Sequence, residues 1–186
     1  MPNLSKKIMK NDKGLILWFT GLPAAGKTTI AASVCDRLTT NNNNVYLLDG
    51  DVIRRDKKNS VGFQREDRIN HISQVGQRAL AIKEQGAICI VAVIAPYREV
   101  RDSVLKEIGA IEIFVDAPLE VCINRDPKGL YQRALRNEIK NFTGIDDPYE
   151  PPLFPDIHLP TDQETPEESV ERVMEYLYAR RMLKAM

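Results

Sequence analysis

Gly21-Leu22-Pro23-Ala24-Ala25-Gly26-Lys27-Thr28 follows directly on the apolar run Leu15-Ile16-Leu17-Trp18-Phe19-Thr20. The pattern G-x-x-x-x-G-K-[ST], behind a strand and ahead of a helix, is a phosphate-binding loop. A buried strand delivers a tight loop whose backbone N–H groups converge on an anion, and the next helix aims its positive N-terminal end at the same point. Residues Lys27–Leu38 carry Ile30, Ala31, Val34, Cys35 and Leu38 at helical spacing, which predicts that helix. Gly21, Leu22, Pro23, Ala24, Ala25, Gly26, Lys27, Thr28 and Thr29 are therefore expected to bind a nucleoside triphosphate. Lys27 is expected at the β- and γ-phosphates, and Thr28 is expected to offer its hydroxyl to Mg²⁺.

Outward from the loop, apolar runs predict about five strands: Leu15–Thr20, Val45–Asp49, Ala87–Ile94, Ile111–Val115 and a short Ile157–Leu159. They are continuous rather than alternating, as strands buried on both faces are. Helical spacing lies between them. Glu66–Gln85 sets Ile69, Ile72, Val75, Gly76, Ala79 and Leu80 on one side, and Arg98–Ile108 sets Val100, Val104, Leu105 and Ile108. Alternating strands and helices predict an α/β fold: a parallel sheet of about five strands with helices on both faces. Ligands in such sheets collect at the carboxyl ends of the strands, which directs attention to the residues after Thr20, Leu48, Ile94 and Val115.

Thr165-Pro166-Glu167-Glu168 reads as a helix start, with a capping Thr, Pro at the first position and Glu at the third. Val170, Val173, Met174 and Leu177 then dock the last helix on the core. The Pro-rich stretch Asp146–Pro160 reads as an ordered surface loop anchored by Tyr149, Leu153 and Phe154.

The length of 186 residues favours a single domain, residues 1–186. Apolar residues at 43% and charged residues at 28% fit a globular protein in water. The formal net charge of +0 gives no long-range field to attract a nucleic-acid polymer. No apolar stretch approaches the ~20 residues needed to span a bilayer, and the first residues lack the apolar core of a signal peptide. Cys35, Cys89 and Cys122 have no metal-ligand spacing and read as inert thiols, Cys89 in a strand and the others on helices, which suits a cytoplasmic protein. His158 reads as structural.

The second predicted strand ends in Asp49-Gly50-Asp51, followed by Arg54. Phosphoryl transfer to an alcohol needs a group that orients the hydroxyl and accepts its proton, and Asp51, beyond the strand end, is the candidate catalytic residue with Lys27. Asp49 is expected to fix the loop or the waters of the metal.

The chain resembles the adenylylsulfate kinases (APS kinases). The matching stretches are Leu17-Trp18-Phe19-Thr20-Gly21-Leu22 with the phosphate loop, Leu47-Leu48-Asp49-Gly50-Asp51, Gly62-Phe63 with Glu66-Asp67-Arg68, Pro96-Tyr97-Arg98, and Ala117 to Cys122. Arg125 to Tyr131 and Glu138 to Pro152 complete the set, and all run in family order. The resemblance implies a P-loop kinase that uses ATP, with Mg²⁺, to phosphorylate the 3′-hydroxyl of adenosine 5′-phosphosulfate (APS), giving PAPS and ADP by direct transfer. It further implies that Phe63 and Phe142 sandwich the acceptor adenine, where a π-face on each side holds a planar base. Arg54 and Arg68 would neutralise the phosphosulfate with guanidinium forks suited to an oxyanion. Lys140 joins the acceptor set on the same ground. Each phenylalanine taken alone also suits a plain core position, and Arg98 either touches the acceptor or caps the following helix. Arg125–Asp146, rich in charge and punctuated by Pro127, Gly129 and Gly144, reads as a mobile lid that brings Arg125 and Lys128 to the ATP phosphates. The resemblance also implies a homodimer.

The departures from the family pattern surround the acceptor side. Lys57-Lys58-Asn59-Ser60-Val61-Gly62-Phe63 stands where L-N-x-x-L-G-F is usual, His71 where asparagine is usual, and Ala95 where serine is usual. Ala95 has no hydroxyl, so a phosphoserine route at that position is excluded. His71 either bonds the acceptor nucleotide as an amide would or is a surface histidine of its helix. Two further readings follow: a kinase of this scaffold acting on another nucleotide, such as a nucleoside diphosphoramidate, and a nucleotide-binding module without turnover. Intact Lys27, Thr28 and Asp51 argue against the module.

Overall fold

The structure, a computed structural model, describes residues 14–41, 43–50 and 64–183. Strands β1 (Leu15–Thr20), β2 (Val45–Asp49), β3 (Ile88–Ala92), β4 (Ile111–Asp116) and β5 (Ile157–Pro160) form one sheet in the order β2-β3-β1-β4-β5. Every pairing is parallel, with Trp18 of β1 in register with Val91 of β3 on one side and Glu112 of β4 on the other. The helices are α1 (Lys27–Thr40), α2 (Arg65–Glu84), α3 (Arg98–Ile108), α4 (Leu119–Arg125), α5 (Leu130–Leu135) and α6 (Pro166–Ala179).

The continuous apolar run of β1 is explained by its central place. Its residues alternate between two cores, Leu17 and Phe19 facing one and Ile16 and Trp18 the other. On the first face they meet Ile30, Val34 and Leu38 of α1 and Val173 and Leu177 of α6. On the second they meet Ile72 and Val75 of α2 and Val104 and Leu105 of α3. Gly76 lets α2 approach α3 closely, since a Cβ there would lie 2.6 Å from Val104 Cγ1. From β1 the chain runs to the β2 edge, and from β3 it crosses to β4 on the far side. The crevice therefore opens at the carboxyl end of β1, where the phosphate loop begins.

The last helix starts as its sequence requires. Thr165 accepts from the Glu168 backbone, and Glu168 accepts from the Thr165 N–H at 2.7 Å, a complete capping box with Pro166 behind it. No described helix is long and apolar enough to cross a membrane.

Three expectations need correction. β2 is an edge strand, paired among the described residues only with β3, so Tyr46 and Leu47 stay 43% and 37% exposed instead of buried on both faces. β3 is shorter than Ala87–Ile94, running Ile88–Ala92, and the chain turns at Ala95, where φ is 46. Leu153 and Phe154 do not anchor the Pro-rich loop, being 65% and 93% exposed. That work falls to Tyr149, whose hydroxyl lies 3.0 Å from Thr20 Oγ1 and whose ring stacks beside Phe114. His158, read as structural, lies 2.9 Å from Asp116 Oδ2 and stacks on Phe114.

Candidate active site

A cleft of about 710 Å³ lies over the carboxyl end of the sheet. Its floor is the phosphate loop, from Pro23 to Ile30. One wall is built by Asp49, Gly50, Arg68, His71, Ala92 to Pro96, Phe142 and Thr143, and the other by Arg125 to Lys128, Thr161, Glu164 and Pro166. The first wall follows β2 and β3 as the topology predicts. The second includes the segment after β5, which the sequence reading had not singled out.

Glycine is required at the start of the loop. A Cβ on Gly21 would sit 2.2 Å from the Val115 carbonyl oxygen, so only glycine lets β1 turn beside β4. Ala24 adopts φ 60, the left-handed region that an L-residue occupies only under constraint. Lys27 is buried in the loop, and its ammonium donates to the carbonyls of Gly21 at 3.0 Å and Leu22 at 2.6 Å. Thr28 Oγ1 donates to Asp49 Oδ2 at 2.8 Å. This hydroxyl–carboxylate pair joins the start of α1 to the end of β2, and its oxygen donors suit a hard divalent cation that keeps part of its water shell.

The segment read as a lid starts at the last residue of α4, contains α5 and a closed turn, and docks on the loop. Tyr131 is fully buried and donates to the Pro23 carbonyl at 3.1 Å, while its ring meets Phe142 edge to face at 5.0 Å. Arg125 donates to the Ala25 carbonyl at 3.2 Å and to Thr161. Thr161 Oγ1 lies 2.7 Å from the same Ala25 carbonyl and 3.0 Å from that of Asp116, so its single proton serves one or the other. Lys128 lines the cleft mouth and is exposed.

On the opposite wall α2 presents Arg68 and His71, which are 3% and 4% exposed. His71 is thus a cleft residue and not a surface histidine. Arg68 donates to the Asn141 carbonyl and lies 3.8 Å from Asp147 Oδ2. Phe142 is buried at the same wall, touching both the core and the cleft. Its turn is closed by Asp146, which accepts from the N–H groups of Asn141 at 2.7 Å and Phe142 at 2.5 Å. Burial works against the Asp146 charge, yet these two N–H groups hold its carboxyl below the ordinary range.

Two expected acceptor residues lie elsewhere. Arg98 caps no cleft group: its guanidinium donates to the Pro151 carbonyl at 2.8 Å, and its backbone N–H donates to Glu150 at 2.7 Å. Lys140 is exposed and outside the cleft lining. Asp51, Arg54, Phe63 and the Lys57–Ser60 stretch lie outside the described residues.

Sequence reasoning missed Arg101. Its side chain is fully buried, donating to Glu112 at 2.8 Å, to the Ala95 carbonyl at 2.7 Å and to the Glu150 carbonyl at 3.0 Å. Ala95 sits in the cleft wall at φ 46, so Arg101 holds a strained turn in place. Together with Arg98, it clips Pro96-Tyr97-Arg98 onto residues 147–151, which gives a physical reason for those two stretches to occur together. Charge at the one end of the i, i+3 series Arg98, Arg101, Val104 was the available signal, but a surface arginine has the same spacing. Burial pushes the Cys89 thiol up to about 12 and raises Cys122, so neither is a thiolate at neutral pH.

The family model for adenylylsulphate kinase matches residues 13–160. This chain belongs to the adenylylsulphate kinase family. An adenylyl-sulfate kinase from Picosynechococcus sp. is 48% identical over 166 residues, covering 89% of this chain and 94% of the relative. An APS kinase from Mycobacterium tuberculosis, solved in complex with AMPPNP and APS, superposes with a TM-score of 0.83 at 35% identity, covering 89% of this chain and 98% of that one. A hexameric APS kinase from Thiobacillus denitrificans superposes with a TM-score of 0.72 at 27% identity over 95% of this chain and 31% of that one. The protein is an enzyme of the kinase class on the P-loop α/β fold, as the sequence implied.

Proposed function

We propose that this adenylylsulphate kinase family member transfers the γ-phosphoryl group of ATP in line to the 3′-hydroxyl of APS, giving PAPS and ADP. The observation that carries the reading is the two-walled cleft: a phosphate loop forms its floor, and a wall with a buried arginine and an aromatic ring faces across it. ATP takes the side of Arg125, Lys128 and Thr161, with Lys27 exchanging the Gly21 and Leu22 carbonyls for phosphate oxygens. The acceptor takes the side of Arg68, His71 and Phe142, with Arg54 and Phe63 added on sequence grounds. Asp51 is the proposed base for the acceptor hydroxyl. Mg²⁺ is the proposed metal, near Thr28 and Asp49; when bound it neutralises charge on the phosphates. Closure of residues 125–146 over the loop keeps water from taking the phosphoryl group.

Incubation with Mg·ATP and APS tests the reading. PAPS and ADP forming in equal amounts support it, and tight APS binding without ADP release overturns it in favour of a binding module. The buried His71, lining the same cleft as Ala95, favours one second reading, a kinase for a related nucleotide such as a nucleoside diphosphoramidate. Turnover with that acceptor and none with APS would select it. A single domain, a homodimer and a cytoplasmic location complete the proposal. The three unbridged cysteines support the location, and sedimentation tests the dimer against the hexamer seen in the Thiobacillus relative.

A further inference from the structure

We propose that Asp147 is a positioning residue that sets the acceptor wall by aiming Arg68 and Phe142 into the cleft together. The inference rests on the reading above that this wall receives the acceptor. Its two carboxylate oxygens serve two different elements. Oδ1 accepts from the Tyr97 hydroxyl at 2.9 Å, and Oδ2 faces Arg68 Nε of α2 at 3.8 Å while also accepting from the Thr143 hydroxyl of the Phe142 turn at 3.5 Å. The carboxylate is therefore oriented by Tyr97, at the start of α3, before it meets Arg68. A guanidinium 96% withdrawn from solvent needs a fixed counter-charge, and Asp147 is 15% exposed and held in place to supply it.

The backbone of Asp147 completes the arrangement. Its carbonyl accepts from Gly144 at 2.8 Å and its N–H donates to the Phe142 carbonyl at 3.3 Å, so it closes the turn that presents Phe142. Arg68 in turn donates to the Asn141 carbonyl, next to Phe142. One residue thus fixes α2, the end of the Val93–Tyr97 turn and the Phe142 turn in a single register. The neighbouring Asp146 also feels the Arg68 charge, but its carboxylate bonds the turn itself, through the N–H groups of Asn141 and Phe142. The adjacent aspartates divide the work, one shaping the turn and the other placing it.

The test uses the full-length enzyme and steady-state kinetics with ATP and APS, beside calorimetric APS binding. Asp147→Asn keeps an acceptor for Tyr97 and removes the charge facing Arg68. It is expected to raise the KM and Kd for APS by about tenfold or more while the KM for ATP moves less than about twofold. Tyr97→Phe, which leaves the charge and frees its orientation, is expected to raise the APS KM by a smaller factor in the same direction. Arg68→Ala serves as the reference. If Arg68→Ala weakens APS and Asp147→Asn does not, the positioning role is overturned and the acceptor wall stands. If neither changes APS binding, the acceptor reading itself fails and the proposal falls with it. A parallel rise in both KM values with a lowered melting temperature would make Asp147 a structural residue only, and would also overturn the proposal.

Discussion

Lys27 carries a charge that the loop itself holds, through the Gly21 and Leu22 carbonyls, at the place where phosphates are to bind. On the proposed reading the ammonium exchanges those carbonyls for phosphate oxygens and so meets the charge that develops on a transferring phosphoryl group. Lys27→Ala is expected to lower the rate of ADP release by about 10²–10³-fold, about 3–4 kcal/mol of barrier. Wild-type turnover in that variant would remove the phosphate-loop assignment. Asp51→Asn separates binding from chemistry: nucleotide affinity measured by calorimetry is expected to stay, while kcat falls by more than about tenfold. A kcat within that factor would mean that another group takes the proton. Lys27 and Thr28 were legible in the sequence because one contiguous motif places them, and Asp49 because it ends a predicted strand. Asp147 and Thr161 were not, because what they do depends on distant partners. Thr161 meets a carbonyl 136 residues away.

At the scale of elements, α6 shows local signals agreeing with the fold. The Thr165 side chain bonds the Glu168 N–H, and Glu168 returns a bond to Thr165. Thr165→Ala is expected to cost about 1 kcal/mol, read as a lower midpoint in urea. The bond from the Thr165 backbone, then that from its side chain, holds the Glu168 carboxyl below its ordinary value. Its folded pKa lies below its unfolded one, so its contribution is present above the unfolded value of 4.5 and is lost as pH falls through the folded one. The penalty for Glu168→Gln is therefore expected to be full at pH 7 and to shrink as pH falls below 4.5. A penalty independent of pH would show that the charge plays no part. α3 shows the opposite case. Its apolar spacing predicted the right helix but could not reveal that Arg101 lies inside it, paired with Glu112 of β4. Burial raises the Glu112 carboxyl, and the Arg101 charge only partly opposes this, so the pair is held by its geometry. Arg101→Leu alone is expected to cost about 3–5 kcal/mol, and adding Glu112→Leu to recover much of it. Double-mutant urea denaturation measures this, and additive losses would disprove the coupling.

For the whole molecule, the cleft belongs to no single element. It is lined from the ends of β1, β2 and β3 and from the segments that follow α4 and β5. The fold class was legible because the alternation of strands and helices and the helix faces follow from apolar spacing, whereas the strand order β2-β3-β1-β4-β5 depends on pairings that spacing does not encode. Of the second cleft wall, the Arg125–Lys128 part was legible, but Thr161 and Glu164 were not, because they reach it only after β5 joins the sheet beside β4. A ligand that spans these parts recognises the assembled sheet and not any fragment of it. A nonhydrolysable ATP analogue at 100 times its Kd is therefore expected to add about 2.7 kcal/mol to the stability of the whole fold. For a chain of 186 residues that amounts to a rise of roughly 5–10 °C in melting temperature. Hydrogen exchange locates the effect. Slower exchange in the deepest amides of β1 and β3, in step with the global gain, is the expected result. Protection confined to residues 125–146 would mean that the nucleotide stiffens only the docked segment, and that the two walls of the cleft open independently of the sheet beneath them.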